Sequence, residues 1–263
     1  MKILKTTILF AAFILLVSCK QEPKTSGGYT VVWEENFEDS TKLQTNWSKI
    51  PRGKSDWNNY MSNYDQLYDI TNGNLILRGI KNTMLPDDPA PYLTGGIYTK
   101  DKRTFSNGRL EIRAKLFGAR SALPALWLLP VDDKWPHGGE IDIMQRLNMD
   151  GYVYQTVHSD YAVNQKMKDN PKSAVVVYIK PDNYNVYAVE LFTDSVKFFI
   201  NDTHTFTYPR IETERSGQFP FGDREYYLLL DMQLGGKSIG AVNEQDLPAE
   251  MHIDWVRFLQ KDK

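Results

Sequence analysis

The chain has 263 residues, enough for one large β domain and a targeting segment, and a second domain is not expected at this length. Lys and Arg number 31 against 33 Asp and Glu, a formal net charge of -2 without a basic run, which argues against nucleic acid and suits a neutral polymer as partner. The lone cysteine excludes an internal disulfide and a paired-cysteine zinc site.

In chain order, a short basic start (Met1-Lys2-Ile3-Leu4-Lys5) precedes the apolar run Ile8 to Val17, too short to span a membrane comfortably, and reads as a secretory signal over residues 1–18. It ends in Leu16-Val17-Ser18-Cys19, which resembles the lipobox of bacterial lipoproteins. That resemblance implies that Cys19 is acylated after cleavage and anchors the protein in the bacterial cell envelope, at the outer membrane or cell surface. Residues 19–28, rich in Lys, Pro, Ser and Gly, then form a tether. The catalytic or binding domain is expected over 29–263, acting as a monomer.

From Tyr29 onward the pattern is strands and turns with no amphipathic helix. Segments such as Asn74–Arg78, Leu110–Leu116 and Val196–Ile200 are rich in β-formers, several with period-two alternation, and Asn72-Gly73, Gly95-Gly96 and Asn201-Asp202 punctuate them. This predicts an all-β sandwich or jelly roll. Aromatics make up 13% of the chain; Trp33 and Trp255, in strands near the two ends, read as packing. Trp127 and Trp135 flank the turn before residue 140, where an indole face would either stack on a sugar ring or pack.

The most informative segment is Gly139-Glu140-Ile141-Asp142-Ile143-Met144-Gln145. On a strand, Glu140 and Asp142 share a face while residue 145 points away, unless a bulge at Ile143-Met144 turns it back. Retaining glycoside hydrolysis needs a carboxylate nucleophile and a second carboxyl as acid then base, ~5–5.5 Å apart. Residue 145 is an amide, which carries no titratable proton. Gly236-Lys-Ser-Ile-Gly240 fits a nucleophile-elbow pattern, but no helix-forming segment follows, and it reads as a chance match.

Taken with Trp33-Glu-Glu-Asn-Phe37, Gly108–Lys115, Pro124–Pro130, Gln155-Thr-Val-His158, Met232-Gln-Leu-Gly-Gly236 and Met251–Arg257, this segment resembles glycoside hydrolase family 16. The resemblance implies a β-jelly-roll sandwich of two antiparallel sheets with a concave cleft, and an endo-acting retaining β-glycanase that needs no cofactor. It makes Glu140 the nucleophile, Asp142 its assisting carboxylate and Gln145 the occupant of the acid/base position. Trp127, Trp135, His158, Gln233 and Asn58 become candidate contacts to a β-linked poly- or oligosaccharide, with His158 equally readable as a hydrogen-bonded sheet residue. Members of the family often hold a structural Ca²⁺ for which Asp254 is retained, although Asn36 stands where an acidic residue is usual. Tryptophans that many β-glucanases of the family carry are replaced by Leu123 and by the Lys237-Ser238-Ile239 stretch, which shifts weight toward other β-glycans, including galactose-containing O-glycans. Gln145 leaves two readings, an impaired endo-β-glycanase or a non-catalytic glycan-binding protein at the cell surface.

Overall fold

The structure is a computed structural model that describes residues 25, 26 and 28–262. The expected signal segment and Cys19 lie outside the described residues, as does most of the expected tether. At the tether's end, β1 (Thr25–Ser26) pairs with the start of β2 (Tyr29–Glu35).

The remaining strands follow in order as β3 (Ser48–Lys49), β4 (Tyr68–Thr71), β5 (Asn74–Lys81), β6 (Tyr92–Thr94), β7 (Gly96–Tyr98), β8 (Gly108–Phe117), β9 (Ala122–Pro130) and β10 (Glu140–Gln145). They continue as β11 (Tyr152–His158), β12 (Ala174–Tyr178), β13 (Asn185–Leu191), β14 (Ser195–Ile200), β15 (Thr203–Pro209), β16 (Tyr226–Leu234) and β17 (Ala249–Lys261). The α-helices described, Leu43–Asn46 and Asp160–Val163, are single turns, in keeping with the lack of any helical period.

Two antiparallel sheets result, packed as a β-jelly-roll sandwich. One runs β1-β2-β17-β8-β13-β14-β15, with β5 joining β17 and carrying β4 and β6 on its flanks; the other runs β12-β11-β10-β9-β16-β7-β3. Alternation along each strand sends one set of side chains between the sheets. Ile112, Ala114, Leu126, Leu128, Ile141, Ile143, Tyr187, Val189, Leu228 and Leu230 are fully buried there. Trp33 packs on this core, its ring 5.6 Å from that of Phe105 and 6.3 Å from Trp47. Trp255 differs from the expectation of simple packing. It is only half-buried and lies beneath the Arg257 guanidinium, 4.0 Å from the ring centre, because β17 turns residue 255 away from the core at a register shift between Ile253 and Trp255.

A second, smaller apolar cluster lies on the opposite face of the seven-stranded sheet, where Leu123, Ala125, Trp127 and Leu229 pack with Ile50, Met61 and Ile239. Leu123, Ala125, Trp127 and Leu229 occupy odd-numbered positions of β9 and β16, out of phase with the core set, so both faces of the middle strands are covered. This second face carries the functional site.

Candidate active site

β10 is the strand on which the site is built. Gly139 enters it with φ +82, and a Cβ there would lie 2.5 Å from Phe221, so the chain reaches Glu140 through a position open only to glycine. Tyr226 Oη donates to the Gly138 carbonyl at 2.9 Å and fixes the same turn. Along β11, Glu140 pairs with His158 and Asp142 with Thr156, but the next partner of Tyr154 is Gln145 rather than residue 144. Against β9 the register also slips, between Asp142 and Met144. The bulge is therefore real, it contains Ile143 and Met144, and both point into the core.

Two buried polar side chains hold the irregularity in place. Gln155 is wholly buried between the sheets and donates from Nε2 to the Ile143 carbonyl at 3.2 Å, while the Thr205 hydroxyl donates to its Oε1. Arg146 follows the bulge directly; its Nη1 donates to the Leu116 carbonyl at 2.9 Å and its Nε to the Asp150 carbonyl at 2.7 Å. Gln155 was legible from the sequence only as part of a strand motif. A glutamine at a core-phase position of β11, between Val153 and Val157, is the signal that it satisfies backbone there.

Glu140, Asp142 and His158 form a tight cluster. His158 Nε2 is 3.0 Å from Asp142 Oδ2 and 3.7 Å from Glu140 Oε1, and Asp142 is fully buried. Burial pushes the Glu140 carboxyl well above the ordinary carboxylate range, the Asp142 charge and hydrogen bond push it the same way, and His158 and the Trp135 side chain pull it back. Burial alone would depress His158, but its hydrogen bond to Asp142 and the charges of both carboxylates outweigh that and lift it to about 9. Asp142 Oδ1 is buried and has no hydrogen-bond partner among the described residues. His158 is a hydrogen-bonded residue of the sheet beside Glu140, and it is not among the residues that line the cleft.

The cleft next to this cluster has a volume of about 440 Å³ and is lined by Ser55, Trp57, Trp127, Leu129, Trp135, Glu140, Gln145 and Gln233. Trp135 is 52% exposed, with its ring 6.4 Å from His158. Trp127 is 5% exposed; its ring meets Trp57 edge-on at 4.9 Å and its Nε1 donates to Asp231 Oδ1 at 2.9 Å, so it forms the wall rather than a free platform. Gln233 also reaches Asp231, donating from Nε2 to Oδ2 at 3.1 Å.

Asp231 was not anticipated, although an acidic residue directly after the apolar Tyr226–Leu230 run marks a buried carboxyl. Burial pushes it up to about 7 against the hydrogen bonds of Trp127 and Gln233, with Asp142 adding to the rise. Asn58 requires correction: it does not line the cleft. Its Oδ1 accepts the Ser55 amide at 3.2 Å and its side chain closes over Gly53, so it shapes the loop from which Trp57 projects.

Asp254 is not available to a calcium ion. Its carboxylate is ion-paired with the Arg113 guanidinium, and Asn36 Oδ1 accepts the Glu38 amide, so the donor set there lacks the oxygen cage that calcium takes. The metal-type cluster found among the described residues is Glu140, Asp142 and His158, where the imidazolium holds the place of a cation. A larger groove of about 740 Å³ lies elsewhere, lined by Asp65, Arg78, Lys81 and Glu244, but these charges are spent on Lys49–Asp65, Arg78–Glu250 and Lys81–Glu244 pairs.

The family model described as XgeA-like, catalytic GH16 domain matches residues 100–190, which include β10 and β11. A keratan-sulfate endo-1,4-beta-galactosidase of Sphingobacterium multivorum is 32% identical over 234 residues, covering 87% of this chain and 54% of that protein. The chain belongs to glycoside hydrolase family 16. It thus spans about half the length of that relative. The laminarinase of Rhodothermus marinus superposes with a TM-score of 0.78 at 22% identity, over 92% of this chain and all of the other, and shares the family 16 fold. A protein from work on endo-acting O-glycanases with which members of the human gut microbiota initiate mucin breakdown superposes at 0.74 with 26% identity, over 89% of this chain and 100% of the other. Family 16 catalysis rests on side-chain carboxyls and needs no cofactor.

Proposed function

We propose that the cleft is the substrate site of a retaining endo-β-glycanase, built to attack an internal β-linkage and impaired in both steps by Gln145. The observation that carries this reading is that Glu140, Asp142 and residue 145 share one face of a bulged strand, with His158 opposite Glu140 and an indole wall alongside. In the first step Glu140, as carboxylate, bonds to the anomeric carbon while the bond to the leaving oxygen breaks. Glu140 gives its proton to solvent on ionising, and the neighbouring His158 imidazolium favours the resulting carboxylate. In the second step water attacks that carbon and Glu140 departs.

Position 145 would protonate the leaving oxygen in the first step and take the water's proton in the second. The Gln145 amide can hydrogen-bond both oxygens but transfers a proton to neither. Binding and attack on substrates with good leaving groups survive; turnover of natural glycan is slowed by about 10²–10⁴-fold, the usual worth of positioned acid–base help.

The favoured substrate is a β-linked glycan containing galactose. Leu123, which pairs in register with Gln233 on the cleft floor, and the Lys237-Ser238-Ile239 stretch stand where many β-glucanases of the family carry tryptophan. The most identical of the relatives described above is named for cleavage at a β-galactoside. A non-catalytic glycan-binding role is the second reading, favoured by Gln145 itself. The test is to measure binding and turnover of the chain and of Gln145→Glu on β-glucans, red-algal galactans, keratan and mucin O-glycans. Turnover by Gln145→Glu supports the enzyme; tight binding with no turnover by either form supports the binding protein. The proposed address is the cell envelope, through acylated Cys19, and Cys19→Ala is expected to release the protein into the soluble fraction.

A further inference from the structure

β12, Ala174–Tyr178, is the outer edge of the sheet that carries the cleft, and its sequence Ala-Val-Val-Val-Tyr contains no charge. Exposed sheet edges are ordinarily protected by charged side chains, bulges or a covering element. Here Val176 is 46% exposed and Tyr178 82% exposed. The face they occupy follows from register. On β11, Val153, Gln155 and Val157 are buried, so Tyr152, Tyr154, Thr156 and His158 share the cleft face. Tyr152 pairs with Tyr178, and Tyr154 with both Val176 and Gln145.

The apolar strip is therefore continuous with the site: one strand spacing of ~4.7–4.9 Å separates Gln145 from Tyr154, and a second reaches β12. Direction matters as well. β11 runs antiparallel to β10, so Tyr152 and Tyr178 lie past residue 145 on the side away from Glu140. Because residue 145 marks the leaving oxygen, that is the side on which the departing half of a glycan lies. The rings are fixed in mutual contact, with Tyr152 edge-on to Tyr154 at 5.7 Å and to Tyr178 at 5.8 Å. An aromatic body with a polar tip, held still and left in water, suits the apolar face and hydroxyl rim of a sugar ring.

We propose that Tyr152, Tyr154 and Tyr178 form a leaving-group-side subsite that stacks on sugar rings beyond the scissile bond. The proposal rests on the glycanase reading of the cleft and extends it to chain length: the site holds a longer glycan than the indole-walled pocket alone accommodates.

Calorimetry on the chain as it stands tests this, since Gln145 keeps the ligand intact. The probes are a β-1,3-glucan hexasaccharide and a desulfated keratan hexasaccharide, each with its trisaccharide. For whichever hexasaccharide binds, Tyr178→Ala and Tyr152→Ala are expected to weaken affinity by about 5–30-fold, the effect of a stacked aromatic anchor, and Tyr178→Phe to retain it. The trisaccharide, confined to the Glu140 side, is expected to bind all forms equally. Unchanged hexasaccharide affinity in both alanine variants, alongside a loss in Trp135→Ala, overturns the subsite and leaves the glycanase reading intact. Absence of binding by either hexasaccharide to the unsubstituted chain overturns both. If Tyr178→Ala instead converts a dimer to a monomer without altering glycan affinity, the strip is a self-association surface and the subsite is excluded.

Discussion

Gln155 Nε2 reaches the Ile143 carbonyl across 3.2 Å inside the core, at the point where the β10 bulge takes that carbonyl out of register. The contact joins a buried amide to the backbone irregularity that turns Gln145 onto the face of Glu140. Removing it leaves a buried acceptor unsatisfied, which costs about 1–3 kcal/mol. Gln155→Leu is therefore expected to lower unfolding free energy in denaturant by that amount. Placed in a Gln145→Glu background it should also reduce kcat more than it raises KM, because residue 145 is displaced from the leaving oxygen. A stability loss with kcat untouched would restrict Gln155 to packing.

The Glu140, Asp142 and His158 cluster makes stability depend on pH in a definite direction. His158 is raised from 6.5 to about 9, so its contribution is complete below about 6.5 and is lost as pH rises through about 9. Glu140 is also raised, so folding holds its proton where the unfolded chain would release it, and stability again falls as pH rises. The His158 rise leans chiefly on Asp142, whereas the Glu140 rise is due first to burial and then to Asp142, so removing Asp142 flattens the profile mainly through His158. Calorimetry from pH 6 to 9 should show Tm falling for the unsubstituted chain and a flatter profile for Asp142→Asn. A difference on the order of 1–2 kcal/mol across that window is expected, allowing for the partial exposure of the imidazole. Parallel curves for the two proteins would mean that the cluster does not hold its protons as described.

The fold was legible because it follows from alternation: strands such as Gly108–Phe117 and Val196–Ile200 show the period of two, and the turns between them carry Gly, Asn and Asp. The bulge was legible for a different reason, since only an extra residue puts positions 140 and 145 on one face. What escaped the sequence was contact across strands. Asn58 and Trp57 are neighbours in the chain, yet the loop folds so that the amide closes over Gly53 and the indole meets Trp127, a choice that local sequence does not encode. The same is true of Asp231, whose role depends on lying beside Trp127 and Gln233. Asp254 could not be separated from Arg113 without knowing that β8 and β17 pair.

Trp135 is the exposed member of the indole wall, and its loss disturbs little of the core. Trp135→Ala should keep the unfolding midpoint within a few degrees while weakening oligosaccharide binding by about 1–3 kcal/mol, the scale of burying a large aromatic face. Trp127→Ala should behave differently: it opens the cleft floor and strands the Asp231 carboxyl, so loss of stability of about 3–5 kcal/mol is expected along with loss of binding. Thermal melts and calorimetry on the two variants separate the exposed platform from the structural wall. Equal stability losses in both would place Trp135 among the packing residues.

The last expectation concerns the shape of the pH–rate profile, which separates the two ionising roles of the mechanism. With Gln145 in place no group must be protonated for an activated aryl β-glycoside to react, and azide needs no base to attack the glycosyl-enzyme. Turnover in azide should therefore depend on Glu140 alone as the nucleophile. A carboxylate nucleophile works only when ionised, so the rate should rise with pH along a single limb through the raised Glu140 value, without the descending limb that an acid gives. In Gln145→Glu the acid must keep its proton, and hydrolysis of natural glycan should give a bell. Its falling limb reports the new carboxyl, and the anomeric configuration should be retained. A bell-shaped profile for the Gln145 protein in azide would reveal a second proton donor at the cleft, and His158, held near 9 beside Glu140, is the group its descending limb would identify.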